Sequence, residues 1–376
     1  MIGLILACFG SVFNVLTDAS RKKILDRQYD AAVIGFWCKL VALGFYLLAL
    51  GFVIAAGFGL QLPPIGAALK ISPAIAFGLY LALNALLEGT AILLNYRALQ
   101  VSPLSFCVPF LALTPVFLLP IGKFFLHEQI VGGMVVGVFL VVTGSIVINR
   151  QLFANGWLEP AKEIIRQKGS RYMMLVALLL ATTAALDKWF VTSGGDVAFG
   201  ERLSRSFTLS IGKSVMLAIF FLGLACWRLR SGEAASPKHS WTAAWREVPR
   251  WILLAAFFEA VVLVLQLLAV QFAVAAIVIS IKRSGILLAC VVGWFVFHER
   301  EITDRVIGSF VMVAGVVIFF LTKPNAQGAA IIGFTGALGV AAFALAGLGV
   351  ALHLTRDWNK SDAVIVAGQN LSGSKA

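Results

Sequence analysis

Charge is scarce in this chain. Asp, Glu, Lys and Arg make up 13% of its 376 residues, about half the ~25% usual in soluble domains. That shortage excludes an ordinary water-soluble domain. Histidine is rarer still, at four residues, and these are scattered. The five cysteines (Cys8, Cys38, Cys107, Cys226 and Cys290) all fall in apolar runs and form no CxxC pair. A disulfide framework and a thiolate metal cluster are therefore not expected, and the cysteines read as small core residues. No GxSxG occurs, and neither His127-Glu128 nor His298-Glu299 has a second histidine four residues on. This removes the hydrolase elbow and the HExxH zinc motif. No metal or cofactor is expected. The apolar start from Ile2 lacks a basic leader and an A-x-A site, so it reads as a first membrane helix rather than a signal peptide.

Acidic residues are also few, 18 against 30 Lys and Arg, for a net charge of +12. Nucleic acid is excluded as the reason, because most of the basic residues lie between apolar runs instead of in one block. They read as juxtamembrane charge beside an anionic leaflet.

What the chain has in abundance is apolar sequence: 60% hydrophobic residues and a mean hydropathy of +0.94. It comes in runs long enough, at 1.5 Å per helical residue, to cross a hydrocarbon core of about 30 Å. Spans are predicted near 2–18, 32–56, 73–97, 104–124, 131–149, 172–190, 205–227, 251–272, 275–297, 306–322 and 329–352. A tight break is expected at Val101-Ser102-Pro103, with basic connectors at 150–171 and 228–250 and a polar, disordered tail after His353.

The chain also repeats. His127-Glu128 recurs as His298-Glu299, an offset of 298 − 127 = 171. The same offset relates Glu88 to Glu259, Asn95 to Gln266, Gly137 to Gly308 and Gly144 to Gly315, while Asn14 and Asp18 answer Thr183 and Asp187 at 169. Spans one to five thus match six to ten. An odd number of helices per repeat inverts one half relative to the other, the arrangement of many secondary transporters, whose sites lie near the midplane between repeats. The expected fold is an all-α integral membrane protein: a ten-helix bundle of two inverted five-helix repeats plus an eleventh C-terminal helix. Its divisions are 1–150, a connector at 151–171, 172–322, and 323–376.

Several motifs carry a family likeness. They are Tyr96-Arg97-Ala98-Leu99-x3-Pro103, Pro109-x4-Thr114-Pro115, Phe124-x3-Glu128 and Gly144-Ser145-Ile146 in the first half. In the second half they are Ser280-Ile281-Lys282-Arg283-Ser284 and Phe297-His298-Glu299-Arg300, followed by Gly308 and Gly315. In these the chain resembles the EamA family of the drug/metabolite transporter superfamily over roughly residues 1–322. The resemblance implies ten helices and secondary transport, and the apolar 329–352 segment departs from it.

Ionisable groups inside a membrane are functional candidates, because each costs at least a few kcal/mol there. Asn84, Glu88 and Asn95 share one face of the third span by their steps of four and seven. Glu259 and Gln266 echo them in the eighth. These two stripes suggest two helices facing one substrate cavity, or else a hydrogen-bond network holding helices together. Lys39 and Lys213 lie at similar depths and serve a site, an ion pair or an interface. Lys282 and Arg283 sit deep in the ninth span, where Arg offers a fork and Lys a point charge to an oxyanion. The pair also looks like the one that plastid phosphate translocators, distant members of the superfamily, use to hold phosphate. Glu88 and Glu259 are expected to offset part of its charge. Asp18 and Asp187, near the ends of their spans, suit gating or capping. The histidine–glutamate pairs and Gly133, Gly137, Gly144, Gly308 and Gly315 read as structural.

The function expected is secondary transport of a small polar metabolite, anionic or phosphorylated, through the inner cell membrane, by proton coupling or by exchange. Membrane lipid is the other partner, nucleic acid is not one, and the protein is a monomer or homodimer. An intramembrane enzyme and a lipid-handling protein without transport are the alternatives. Basic residues of the connectors and tail divide 20 against 6 between the two faces, which places the N-terminus outside and the C-terminus in the cytoplasm. In that division Arg21 belongs to a cytoplasmic connector. The family resemblance implies the opposite side for the N-terminus.

Overall fold

A computed structural model describes residues 2–25, 29–55, 57–62, 71–101, 111, 113–148, 168–195, 197–230, 241–285, 303–322, 333, 336–342 and 344–345. Among these there are helices and no strands. In chain order they are α1 (Ile2–Leu25), α2 (Ala31–Ala55), α3 (Pro73–Val101), α4 (Thr114–Phe124), α5 (Gly132–Ile148), α6 (Lys168–Thr192), α7 (Phe199–Arg230), the short α8 (Trp241–Glu247), α9 (Pro249–Phe272), α10 (Ala275–Ser284) and α11 (Thr303–Thr322). Six of them, α1, α2, α3, α6, α7 and α9, are long and apolar enough to cross a membrane. The protein is an all-α, multi-pass membrane protein. Of the expected eleventh span, 336–342 and 344–345 are helical, and Ala337 and Ala341 pack on Leu140, Val311 and Ile318. The break at Ser102-Pro103, His298-Glu299, Cys107, Cys290, residues 151–167 and the tail lie outside the described residues.

Local chemistry starts these helices. Asp30 caps α2: its Oδ1 accepts the backbone N–H of Ala32 at 2.7 Å, and its Oδ2 accepts Arg228 at 2.9 Å. Ser72 Oγ accepts the N–H of Ile75 at the head of α3. Pro73 and Pro249 open α3 and α9, where a missing N–H costs nothing.

The packing ties the two halves together. α1 lies on α9 and α3 on α6; α1 meets α10 as α4 meets α6; α2 meets α9 as α3 meets α7. The pairs α2–α7, α4–α10 and α5–α11 also pack together.

Connectors sort to two ends. At one end Tyr29 donates to Glu247 and Trp37 stacks on Trp245 at 4.9 Å. The other end gathers Gln61, whose N–H donates to Thr208, with Lys188, Arg202, Gln271 and Ala273.

Helices α5 and α11 run antiparallel with glycines at their seam. A Cβ on Gly137 would meet the carbonyl oxygen of Gly315 and the ring of Phe319, and one on Gly144 would meet the Gly308 carbonyl and Met312. Backbones this close leave no room for a side chain. Gly144→Leu should therefore force the helices apart, at about 1–3 kcal/mol of overpacking. A lower melting temperature of the purified protein, against an unchanged one for Gly44→Leu in open space, is the measurement.

Candidate functional site

Two charge clusters of opposite design lie among the long helices. The first is centred on a cation. Lys213 of α7, 4% exposed, holds Asp187 of α6 at 2.6 Å and Glu88 of α3 at 2.8 Å. Asp187 is completed by neutral donors from α3: Tyr80 Oη at 2.9 Å and Asn84 Nδ2 at 2.8 Å. Asn84 Nδ2 also donates to Tyr80 Oη at 3.3 Å. Tyr80, Asn84 and Glu88 follow at steps of four, so one face of α3 supplies three members. The ring of Tyr80 is fixed by stacking on Phe190 at 4.9 Å.

The second cluster is centred on an anion. Glu259 of α9 receives Lys39 of α2 at 2.6 Å and Arg21 of α1 at 2.8 Å. The clusters adjoin: α2, which carries Lys39, packs on both α7 and α9, and Tyr46 of α2 shares one apolar cluster with Phe207 of α7 and Ala260 of α9.

The pairing is crossed. Glu88 and Glu259 are counterparts by the 171-residue offset, and each takes its lysine from the opposite half of the chain. Charges this deep demand partners, since an unpaired one costs several kcal/mol in a span.

A third ion pair lies at the end that gathers Gln61 and Gln271. Glu128, just past α4, accepts Lys188 of α6 at 2.5 Å and the backbone N–H of Ala275, the first residue of α10, at 2.9 Å. Lys188 also donates to the Ala273 carbonyl at 2.6 Å. Beside it, Arg202 donates to the Gln271 carbonyl at 3.0 Å and lies over the Phe272 ring, while Arg205 donates to the Ser193 carbonyl at 2.8 Å. The turn into Glu128 places His127 at φ 53°. These contacts clasp α4, α6, α7, α9 and α10 together at that end.

Of the residues expected at a site, Lys39, Glu88, Lys213 and Glu259 meet in these clusters, as does Asn84. Asn95 lies two turns beyond Glu88 on α3 and is half-buried. Gln266 accepts Lys282 at 2.9 Å, joining α9 to α10. Glu88 is engaged by Lys213, and Glu259 by Lys39 and Arg21. Asp187, expected as a gate or cap, is a buried hub at 3% exposure, because α6 runs past it and carries it inside. The backbone of Asp18 is in α1, and its side chain lies outside the described residues. Arg21, assigned by sequence to a connector, is part of a helix that continues to Leu25, and it turns inward to Glu259.

Sequence reasoning missed Tyr80, Arg21 and Lys188. Tyr80 was findable one turn before Asn84 on the same stripe. Nothing linear marks the other two. Among the described residues no group of three or more histidine, cysteine, aspartate or glutamate side chains could hold a metal ion.

No family model and no curated protein matches the chain. Among solved structures 27 chains match. One, a crystal structure described only as that of a protein, is 12% identical with a TM-score of 0.55, covering 85% of this chain and 96% of its own. At that identity the likeness is one of fold.

Proposed function

We propose that this chain is a secondary transporter, a carrier or exchanger that moves a small polar metabolite bearing an anionic group across the cell membrane. In this reading two inverted five-helix repeats rock against each other in alternating access, as in the EamA-type transporters its motifs resemble. The observation that carries it is the crossed pairing of Glu88 with Lys213 and Glu259 with Lys39 in mid-span. Groups so costly to bury are kept for a reason, and pairs that join opposite halves sit where a repeat-built carrier holds its substrate. Several of the larger helix contacts also come in matched pairs, α1–α9 with α3–α6 and α1–α10 with α4–α6, which favours repeats. The clasp of Glu128, Lys188 and Ala273 lies at one end, where a carrier needs a contact that breaks when that side opens. A carboxylate in the first cluster offers a proton a place to ride; an exchanger needs none.

Purified protein in proteoliposomes, preloaded in turn with anionic, cationic, zwitterionic and neutral solutes, tests this by counterflow of the labelled solute. At least one class should exchange about tenfold faster than in protein-free vesicles, a difference of ~1.4 kcal/mol in barrier. If none does, the transporter reading falls.

The same reading places the end bearing Arg228, Arg246 and Arg250 in the cytoplasm. A cysteine replacing the exposed Gly59 should then react with an impermeant maleimide on intact cells, and one replacing the exposed Arg246 only after permeabilisation. The reverse pattern would invert the orientation.

A further inference from the structure

We propose that Glu128 and Lys188 form a releasable latch on the elbow between α9 and α10, and that this latch holds the end opposite Arg246 shut. The inference rests on the transporter reading and names the contact that governs access at one end.

The elbow is built without caps of its own. Between Phe272, the last residue of α9, and Ala275, the first of α10, stand Ala273 in an extended conformation and Val274 at ψ 132°. Neither has a polar side chain, and nothing at the N-cap position bonds the start of α10. A helix end leaves carbonyls bare at its C-terminus and N–H groups bare at its N-terminus, with partial charge to match. Both needs are met from far away in the chain. Lys188 of α6 donates to the Ala273 carbonyl at 2.6 Å, and Glu128 accepts the Ala275 N–H at 2.9 Å. The two side chains then meet each other at 2.5 Å. One ion pair thus serves both ends of the break, its cation at the carbonyl and its carboxylate at the amide.

The pair also joins the two halves of the chain. Glu128 belongs to the first, whereas Lys188, Ala273 and Ala275 belong to the second. Over 113–131, among the described residues, Glu128 is the one whose side chain makes a polar contact with another helix. Breaking the pair therefore removes the polar hold of α4 and its turn on α6 and on the elbow together. Within the second half the ties are different. Arg205 donates to the Ser193 carbonyl and Arg202 to that of Gln271, so α6, α7 and α9 stay joined when the latch releases.

The grip is incomplete, which is what makes it releasable. Both bonds fall on Oε1 of Glu128, while Oε2 is buried with no hydrogen-bond partner among the described residues. A bare carboxylate oxygen disfavours the closed arrangement and is satisfied once water reaches it. Gly122 of α4 makes room for that oxygen, since a Cβ there would strike it.

The test is the distance between two nitroxides on the full chain in nanodiscs, read by double electron–electron resonance. p-Acetylphenylalanine carries the labels, so the native cysteines stay in place. One pair of sites is Phe124 and Phe199, both exposed at the latched end, the second stacked on Phe272. The other pair is Arg97 and Arg246, exposed at the opposite end. Lys188→Met should raise the ratio of long to short distances in the first pair about tenfold, or ~1.4 kcal/mol, and shorten the second. Gly122→Ala should do the same with every charge retained, because its methyl displaces the carboxylate. Exchanging the pair, Glu128→Lys with Lys188→Glu, restores an ion pair but neither cap, since lysine accepts no N–H and a carboxylate donates to no carbonyl. The exchanged protein should stay open. Reclosure by it would reduce the contact to a plain salt bridge and overturn the proposal. Widening at both ends together would mean general loosening and overturn it equally. Unmoved distances in Lys188→Met and Gly122→Ala, in a protein that shows counterflow, would leave the transporter reading standing and sink the latch. The stated shifts without counterflow would keep the latch and sink only that reading.

Discussion

Lys213→Met is expected to lower the yield of folded protein by more than any other single substitution in the membrane interior. The lysine is buried, and two carboxylates share it at 2.6 and 2.8 Å. Methionine fills a similar volume, so the loss is one of charge rather than packing. Breaking a buried ion pair by removing one partner costs about 3–5 kcal/mol, a large part of a total stability of roughly 5–15 kcal/mol. Here two anions are stranded, and Tyr80 and Asn84 can satisfy only Asp187. Size-exclusion of the solubilised protein should show aggregate or little material. The triple variant Glu88→Gln, Asp187→Asn, Lys213→Met removes all three charges together, and replacing a whole buried ion cluster by neutral groups is often close to neutral in stability. It should recover a monodisperse peak while remaining inactive in counterflow. A stable, monodisperse Lys213→Met protein would show that the cluster contributes little to the fold. A triple variant that folds and still transports would remove the cluster from the site.

How much of this was legible in the sequence varies with the range of the interaction. Apolar runs report local hydropathy, and the starts of α2, α3, α5, α9 and α10 fall within about two residues of those expected. The stripe on α3 is equally local, since steps of four place Asn84 and Glu88 on one face whatever surrounds them. The 171-residue offset makes Glu88 and Glu259 counterparts, but it does not say which lysine each will meet. Lys39 and Lys213 are separated by 213 − 39 = 174 residues, and their crossing to the opposite half is decided by α2 packing on α9 and α7 packing on α3. A charge near a helix end is ambiguous in the same way. Arg21 and Asp187 both sit within a turn or two of a terminus, where sequence favours the water-facing reading. The structure turns both inward because α1 lies along α9 and α6 along α3. Glu128 shows the opposite limit. Its histidine–glutamate motif was visible, yet its contacts to Lys188 and to the start of α10 bridge residues 60 and 147 positions away.

Glu259→Gln is expected to make the stability of the protein depend on small anions in the buffer. Gln keeps the size of the side chain and removes the charge that Lys39 and Arg21 share. Lys39, only 6% exposed, then loses its described counter-ion, and the amide can accept from one cation only by turning its own donors toward the other. The cost should approach that of an uncompensated buried charge, about 3–5 kcal/mol. Unlike Lys213, however, this cluster has an accessible member, for the Arg21 side chain is 35% exposed. A small carboxylate such as formate can therefore enter and replace the missing one. Ligand at ~100 times its dissociation constant restores about 2.7 kcal/mol, enough to raise the melting temperature of the variant measurably. Wild-type protein should show no such gain, because Glu259 already occupies the position. Matched ionic strength with a bulky organosulfonate separates filling of the site from general screening. Formate should stabilise Glu259→Gln and the sulfonate should not. If both act equally, or if the variant melts like wild type in every buffer, Glu259 is not the shared counter-ion of Arg21 and Lys39, and the second cluster of the site loses its centre.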